Sequence, residues 1–205
     1  ITRIIVQDED LPHPQSSTQA PDLFLSALVS AMFGFEVEII PALELDKFFT
    51  DATEEQMAAY SSNVVSAARD NNVDKLRGIC AEEGREALNC FNRFGEGLLN
   101  LACRRGFVDL VKYLLGPDVD LQVRICDDYG RTPLHDACWH PEPQTEICAW
   151  LLKKDPSLFL IADKRGFTPF QYARPGDWAT WRNFLWEHRE HLSALCEKNT
   201  LSRFS

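Results

Sequence analysis

Gly130-Arg131-Thr132-Pro133-Leu134-His135-Asp136-Ala137 is the stretch on which the reading of this chain turns, and it has two looser copies. They are Gly95-Glu96-Gly97-Leu98-Leu99-Asn100-Leu101-Ala102 and Gly166-Phe167-Thr168-Pro169-Phe170-Gln171-Tyr172-Ala173, with leading glycines 35 and 36 residues apart. A glycine tolerates the positive φ of a tight turn. A threonine two residues later can cap a helix, and a proline after it takes the first helical position, where its missing N–H costs nothing. The alanine closing each copy is small enough for neighbouring helices to pass closely.

Each copy is followed by a second apolar pattern. Leu110, Val111, Leu114 and Leu115 form the first, Ile147, Cys148, Leu151 and Leu152 the second, and Trp181, Phe184 and Leu185 the third. Offsets of i, i+1, i+4 and i+5 describe one face of a helix. A worn unit precedes them, with Val65, Ala67 and Ala68 followed by Leu76, Ile79 and Cys80. One such helix pair cannot bury its apolar face alone, so pairs must stack.

The phrase at residues 130–137 resembles the signature of the ankyrin repeat, and the resemblance covers roughly residues 60–190. It implies an all-α fold: an ankyrin-repeat solenoid of about four helix-turn-helix units with short hairpin-like turns; the residues ahead of it read as a mostly helical N-terminal segment. The expected repeats are about 60–91, 92–126, 127–162 and 163–190, with a capping helix and tail over 187–205. Gly97-Leu98 replaces Thr-Pro in the second repeat, which predicts a poorly capped helix. Extra residues within His140-Pro-Glu-Pro-Gln144 predict a bulged turn in the third, and Arg174-Pro-Gly-Asp-Trp178 rewrites the inter-helix turn of the fourth.

Residues 1–59 carry no family phrase. Leu11 to Pro21 reads as a linker, Asp22 to Phe33 as an apolar helix, and Phe35 to Ile40 as a weak strand. Leu23 to Phe49 is expected to cover the first repeat. Thr53-Glu-Glu-Gln56 is a capping-box pattern that predicts a helix running on towards Arg69.

Composition narrows the function classes. The chain has 205 residues, 45% of them apolar, and a net charge of −10, which argues against a largely disordered chain or a general nucleic-acid coat. The apolar run from Leu23 to Phe35 is too short to cross a bilayer, so no membrane insertion is expected. No signal-peptide pattern opens the sequence, and a leader ahead of Ile1 stays open. Seven cysteines, odd in number and without a C-x-x-C pair, point to a reducing compartment, cytoplasmic or nuclear.

Catalysis is not expected. His135 with Asp136 lacks a nucleophile at a recognisable elbow, and in the ankyrin phrase this histidine hydrogen-bonds backbone near the turn. No phosphate loop, metal spacing, cofactor motif or small-molecule substrate site is read. Cys80, Cys103, Cys138 and Cys148 read as small core residues.

The resemblance implies a protein partner bound on a concave face built from turn tips and first helices. Carried over, the tips are Arg93, Phe94 and Glu96; Asp128, Tyr129 and Arg131; and Lys164, Arg165 and Phe167. The helix positions are Arg69 and Asp70, Arg104 and Arg105, Trp139 and His140, and Arg174. These sixteen positions sum to +5 on an acidic chain, with four aromatics among the cations, which predicts an acidic or phosphorylated partner segment. The same arrangement predicts that reversing Arg104 and Arg105 leaves the fold intact. The alternative is a constitutive adaptor subunit of a larger assembly, docked through its N-terminal segment or outer surface. RNA binding through the same arginines conflicts with the overall acidity.

Overall fold

The computed structural model describes residues 52–192. The linker, helix and strand expected within residues 11–40, the cover expected from Leu23 to Phe49, and the tail beyond residue 192 lie outside the described residues.

Thr53 caps helix α1 (Glu54–Ala58) through a complete capping box with Gln56, as the sequence predicts. The helix does not continue to Arg69. Ser61 adopts an extended conformation and accepts the Val64 N–H, so a new helix, α2 (Ser62–Arg69), begins there. The second start signal, a serine three residues before an N–H that has no partner within the helix, outcompetes continuation of the first helix.

Helix pairs follow in sequence: α2 with α3 (Val73–Glu83), α4 (Leu98–Arg105) with α5 (Val108–Leu115), and α6 (Pro133–Trp139) with α7 (Thr145–Lys154). The fourth unit has only a 3₁₀ turn at Pro169–Tyr172 before α8 (Trp178–Glu187). Its first helix is cut short because Pro175 excludes the helical region for Arg174, and Ala173 and Arg174 are both extended. First helices pack on first helices, α2 on α4, α4 on α6 and α6 on the 169–172 turn, while α3, α5 and α7 form the second row.

The repeated phrase explains this packing. Ala102, Ala137 and Ala173 are buried where the first helices meet, and Leu99, Leu134 and Phe170 are at most 1% exposed beneath them. Cys103, Cys138 and Cys148 are buried free thiols in the same core, and Cys80 is half-buried. Burial pushes the Cys103 and Cys138 thiols well above their ordinary range, which keeps them protonated and inert. At the C-terminal end the core turns aromatic: Phe170 lies 5.3 Å from Phe159 and 5.3 Å from Trp181, with Phe184 at 6.2 Å.

Two sequence departures have a local outcome. The turn at residues 140–144 is five residues long, against two between α4 and α5. Gly97 is not merely a weak cap, since a Cβ there would meet the Phe91 ring at 3.0 Å and the Cys90 carbonyl at 3.2 Å. A threonine there would have to displace the Phe91 ring by a few tenths of an ångström.

Candidate functional site

Three loops project beside the first helices, each a finger built on one side chain. Asn92 Oδ1 accepts the N–H groups of Phe94 and Glu96. Asp127 Oδ1 accepts those of Tyr129 and Arg131, and Asp163 Oδ1 those of Arg165 and Phe167. Three residues later Gly95, Gly130 and Gly166 turn the chain at φ values of 78°, 78° and 86°. Adjacent fingers are bonded to one another, Asp128 N–H to the Phe94 carbonyl at 2.8 Å and Lys164 N–H to the Tyr129 carbonyl at 2.9 Å. Sequence reasoning aligned the glycines and missed these Asn and Asp residues, although Asx-x-x-Gly recurs at the same period.

Behind the fingers, one polar side chain per repeat closes the start of the first helix. Asn100 Oδ1 accepts the Gly97 N–H, His135 Nδ1 the Thr132 N–H, and Gln171 Oε1 the Thr168 N–H. His135 Nε2 then donates to the Phe167 carbonyl at 3.0 Å, tying the third repeat to the finger of the fourth repeat. His135 therefore bonds backbone, as the resemblance implied.

Burial lowers the His135 pKa to about 4, despite the Phe167 carbonyl and the nearby carboxylates. An unfolded histidine, with a pKa near 6.5, takes up a proton that the folded one refuses, so this contribution to stability is complete above about pH 6.5 and falls as pH drops towards 4. Between pH 7.5 and pH 4 the expected loss is about 3 kcal/mol. Urea unfolding across that range should show a flatter pH dependence for His135→Gln than for the unsubstituted protein.

The arginines differ most from their sequence reading. Arg104 donates to Asp136 at 2.9 Å and is also bonded to Glu96, while Asn100 donates to the other Asp136 oxygen at 3.0 Å. Arg131 donates to Asp127 at 2.7 Å, and Arg165 is bonded to Asp163 and Tyr172. Asp127, Asp136 and Asp163 are buried. Burial pushes the Asp136 carboxyl up, against the pull of Arg104 and Asn100. For Glu96 and Asp163 burial acts the same way, but hydrogen bonds from Arg104 and Asn92, and from Tyr172 and two backbone N–H groups, hold each below the usual carboxylate range. Desolvation works against the Arg104 charge, yet its two carboxylates hold the proton more tightly than usual.

These pairs correct two expectations. Including the three buried aspartates lowers the surface sum from +5 to +2, because much of the positive charge is neutralised from within. Arg104 is a structural ion, 31% exposed, so reversing it together with Arg105 should destabilise the fold and is no clean test of binding.

Other candidates fall into distinct groups. Arg69, Arg93, Arg105 and Arg174 are exposed and have no ion-pair partner among the described residues, and Lys164 Nζ donates to the Asp128 carbonyl. Arg174 lies on extended backbone, not on the helix where the alignment put it. His140 braces its own turn, its Nδ1 accepting the Glu142 N–H. Phe94, Tyr129 and Trp139 are 44%, 56% and 53% exposed. Arg93 stacks over Phe94, Arg131 over Tyr129 and Arg165 over the half-buried Phe167.

Arg104, Arg131 and Arg165 are tied to the fingers through Glu96, Asp127 and Asp163. Arg104 and Arg131 both act on Glu96 and Asp136, and His135 links that cluster to Tyr172, 5.4 Å away ring to ring, and so to Arg165. Among the described residues, no cluster of His, Cys, Asp or Glu is arranged to hold a metal ion, and no helix is long and apolar enough to cross a membrane.

Compared with known protein families, residues 64–159 match ankyrin repeats in three copies. No curated protein matches the chain.

Proposed function

Because residues 64–159 of this chain belong to the ankyrin-repeat family, whose members are general protein–protein interaction modules and typically non-catalytic, we propose that this protein is itself a non-catalytic interaction module that binds a partner on its finger side. The observation that carries the reading is the exposure of Phe94, Tyr129 and Trp139 in the finger and first-helix segments, which also carry exposed Arg93, Arg105 and Lys164. Tryptophan, tyrosine and arginine are the side chains that most often anchor interfaces. The aromatics supply desolvation, and the unpaired cations steer an acidic segment, raising its on-rate more than its final affinity.

The test uses Arg105 and Trp139, whose side chains are exposed and outside the ion network. Affinity purification with Trp139→Ala/Arg105→Glu should lose the partners held by the unsubstituted protein, Trp139→Ala alone costing about 2 kcal/mol of binding or more. Thermal unfolding should be nearly unchanged. Partners that survive the double substitution but vanish on deleting residues 1–50 would establish the adaptor reading instead.

A further inference from the structure

The spacing of the fingers carries a statement about what lies across them. Each finger is a hairpin two chain passes wide, closed by Asp127 N–H to the Arg131 carbonyl in one repeat and by Asp163 N–H to the Phe167 carbonyl in the next. Each finger is also hydrogen-bonded to its neighbour. With each pass taken at one strand spacing, equivalent tip residues recur at about 9.6 Å. A polyproline II helix advances about 9.3 Å per three-residue turn. A chain in that conformation, laid along the tips, presents the same edge to every finger.

The residues at the repeating tip position immediately precede the turn glycines: Phe94, Tyr129 and Arg165. Two are exposed aromatic rings, each with a guanidinium over it, Arg93 at 4.6 Å and Arg131 at 5.2 Å. A polyproline II segment makes no internal hydrogen bonds, so its carbonyls need outside donors. The Tyr129 hydroxyl and the Arg93 guanidinium have no hydrogen-bond partner among the described residues and meet that need. Arg165, more than half exposed, uses part of its donor set on Asp163 and Tyr172 and keeps the rest for an outside carboxylate.

We propose that the finger tips bind an extended proline-containing segment, with two prolines three positions apart seated on Phe94 and Tyr129 and a carboxylate one turn further on facing Arg165. This rests on the interaction-module reading and names the chemistry of its partner. The pre-set φ of proline lowers the ordering cost of the segment, and its ring packs flat on an aromatic face.

Fluorescence anisotropy with a labelled synthetic peptide tests it: proline, two alanines, proline, two alanines, glutamate, with glycine flanks. The full chain should bind this peptide at least tenfold more tightly than peptides of the same composition with one or three alanines between the prolines. It should also bind at least tenfold more tightly than a peptide of equal charge in which alanine replaces both prolines. Tyr129→Ala and, independently, Phe94→Ala should each weaken binding about tenfold while leaving the circular dichroism spectrum unchanged. Absence of binding, equal binding of the spacing variants, or indifference to both tip substitutions overturns the proposal. If it falls while Trp139→Ala/Arg105→Glu still strips the natural partner, only the ligand class is wrong; if that variant keeps its partner, the interaction reading itself fails.

Discussion

Arg104→Glu should cost about 3–5 kcal/mol of folding stability, a large share of what a domain of this size has. The substitution removes the charge that compensates Asp136, which is 2% exposed, and puts a carboxylate beside both Asp136 and Glu96. Breaking one partner of a buried pair is expensive because the other is left charged, or must take up a proton, without solvent. Arg105→Glu is the internal control. Its side chain is exposed and unpaired among the described residues, so its stability change should stay within about 0.5 kcal/mol. Urea unfolding of the two variants decides the matter. Equal, small effects would mean that Arg104 is a solvated surface charge. Arg104→Ala combined with Asp136→Asn should be less destabilising than the sum of the two single changes, because no uncompensated carboxylate remains.

Phe170→Ala should cost about 3–5 kcal/mol, and the damage should be local. Phe170 is 1% exposed and sits among Phe159, Trp181 and Phe184, where the preceding repeats place leucines. The fourth unit lacks a full first helix, and this aromatic cluster ties α8 to the stack. Stacked repeats contact mainly their neighbours, and a terminal unit can detach while the others hold. Trp178, Trp181 and Trp186 lie on α8, so tryptophan fluorescence weights the last unit while far-ultraviolet circular dichroism weights the whole. In the variant the fluorescence transition should move to lower urea and separate from the circular dichroism transition. Coincident transitions would show that the last repeat unfolds only with the rest.

The finger-side candidates divide by how far their chemistry reaches along the chain. Tyr129 and Phe94 were legible because a tip residue beside a turn glycine is exposed by local geometry alone. His135 was legible because the resemblance placed it, and its bonds to Thr132 are three residues away. Arg104 was misread because its partner Asp136 lies 32 residues on, in another helix. Arg131 and Arg165 were misread for a nearer reason: Asp127 and Asp163 sit within four residues but were outside the positions tallied. Their period with Asn92 was present in the sequence and unused. The shortened first helix of the fourth repeat was half legible, since Pro175 announced a break but not how early the helix would end.

Repeat period, helix pairs and buried small residues were determined by the sequence itself, because capping, turn chemistry and apolar periodicity act within a few residues and three copies reinforce one another. The electrostatic character of the finger side was decided by tertiary structure. A carboxylate brought against a guanidinium by the stacking of two helices changes a free cation into a structural one, and no local signal in either helix records that they will meet.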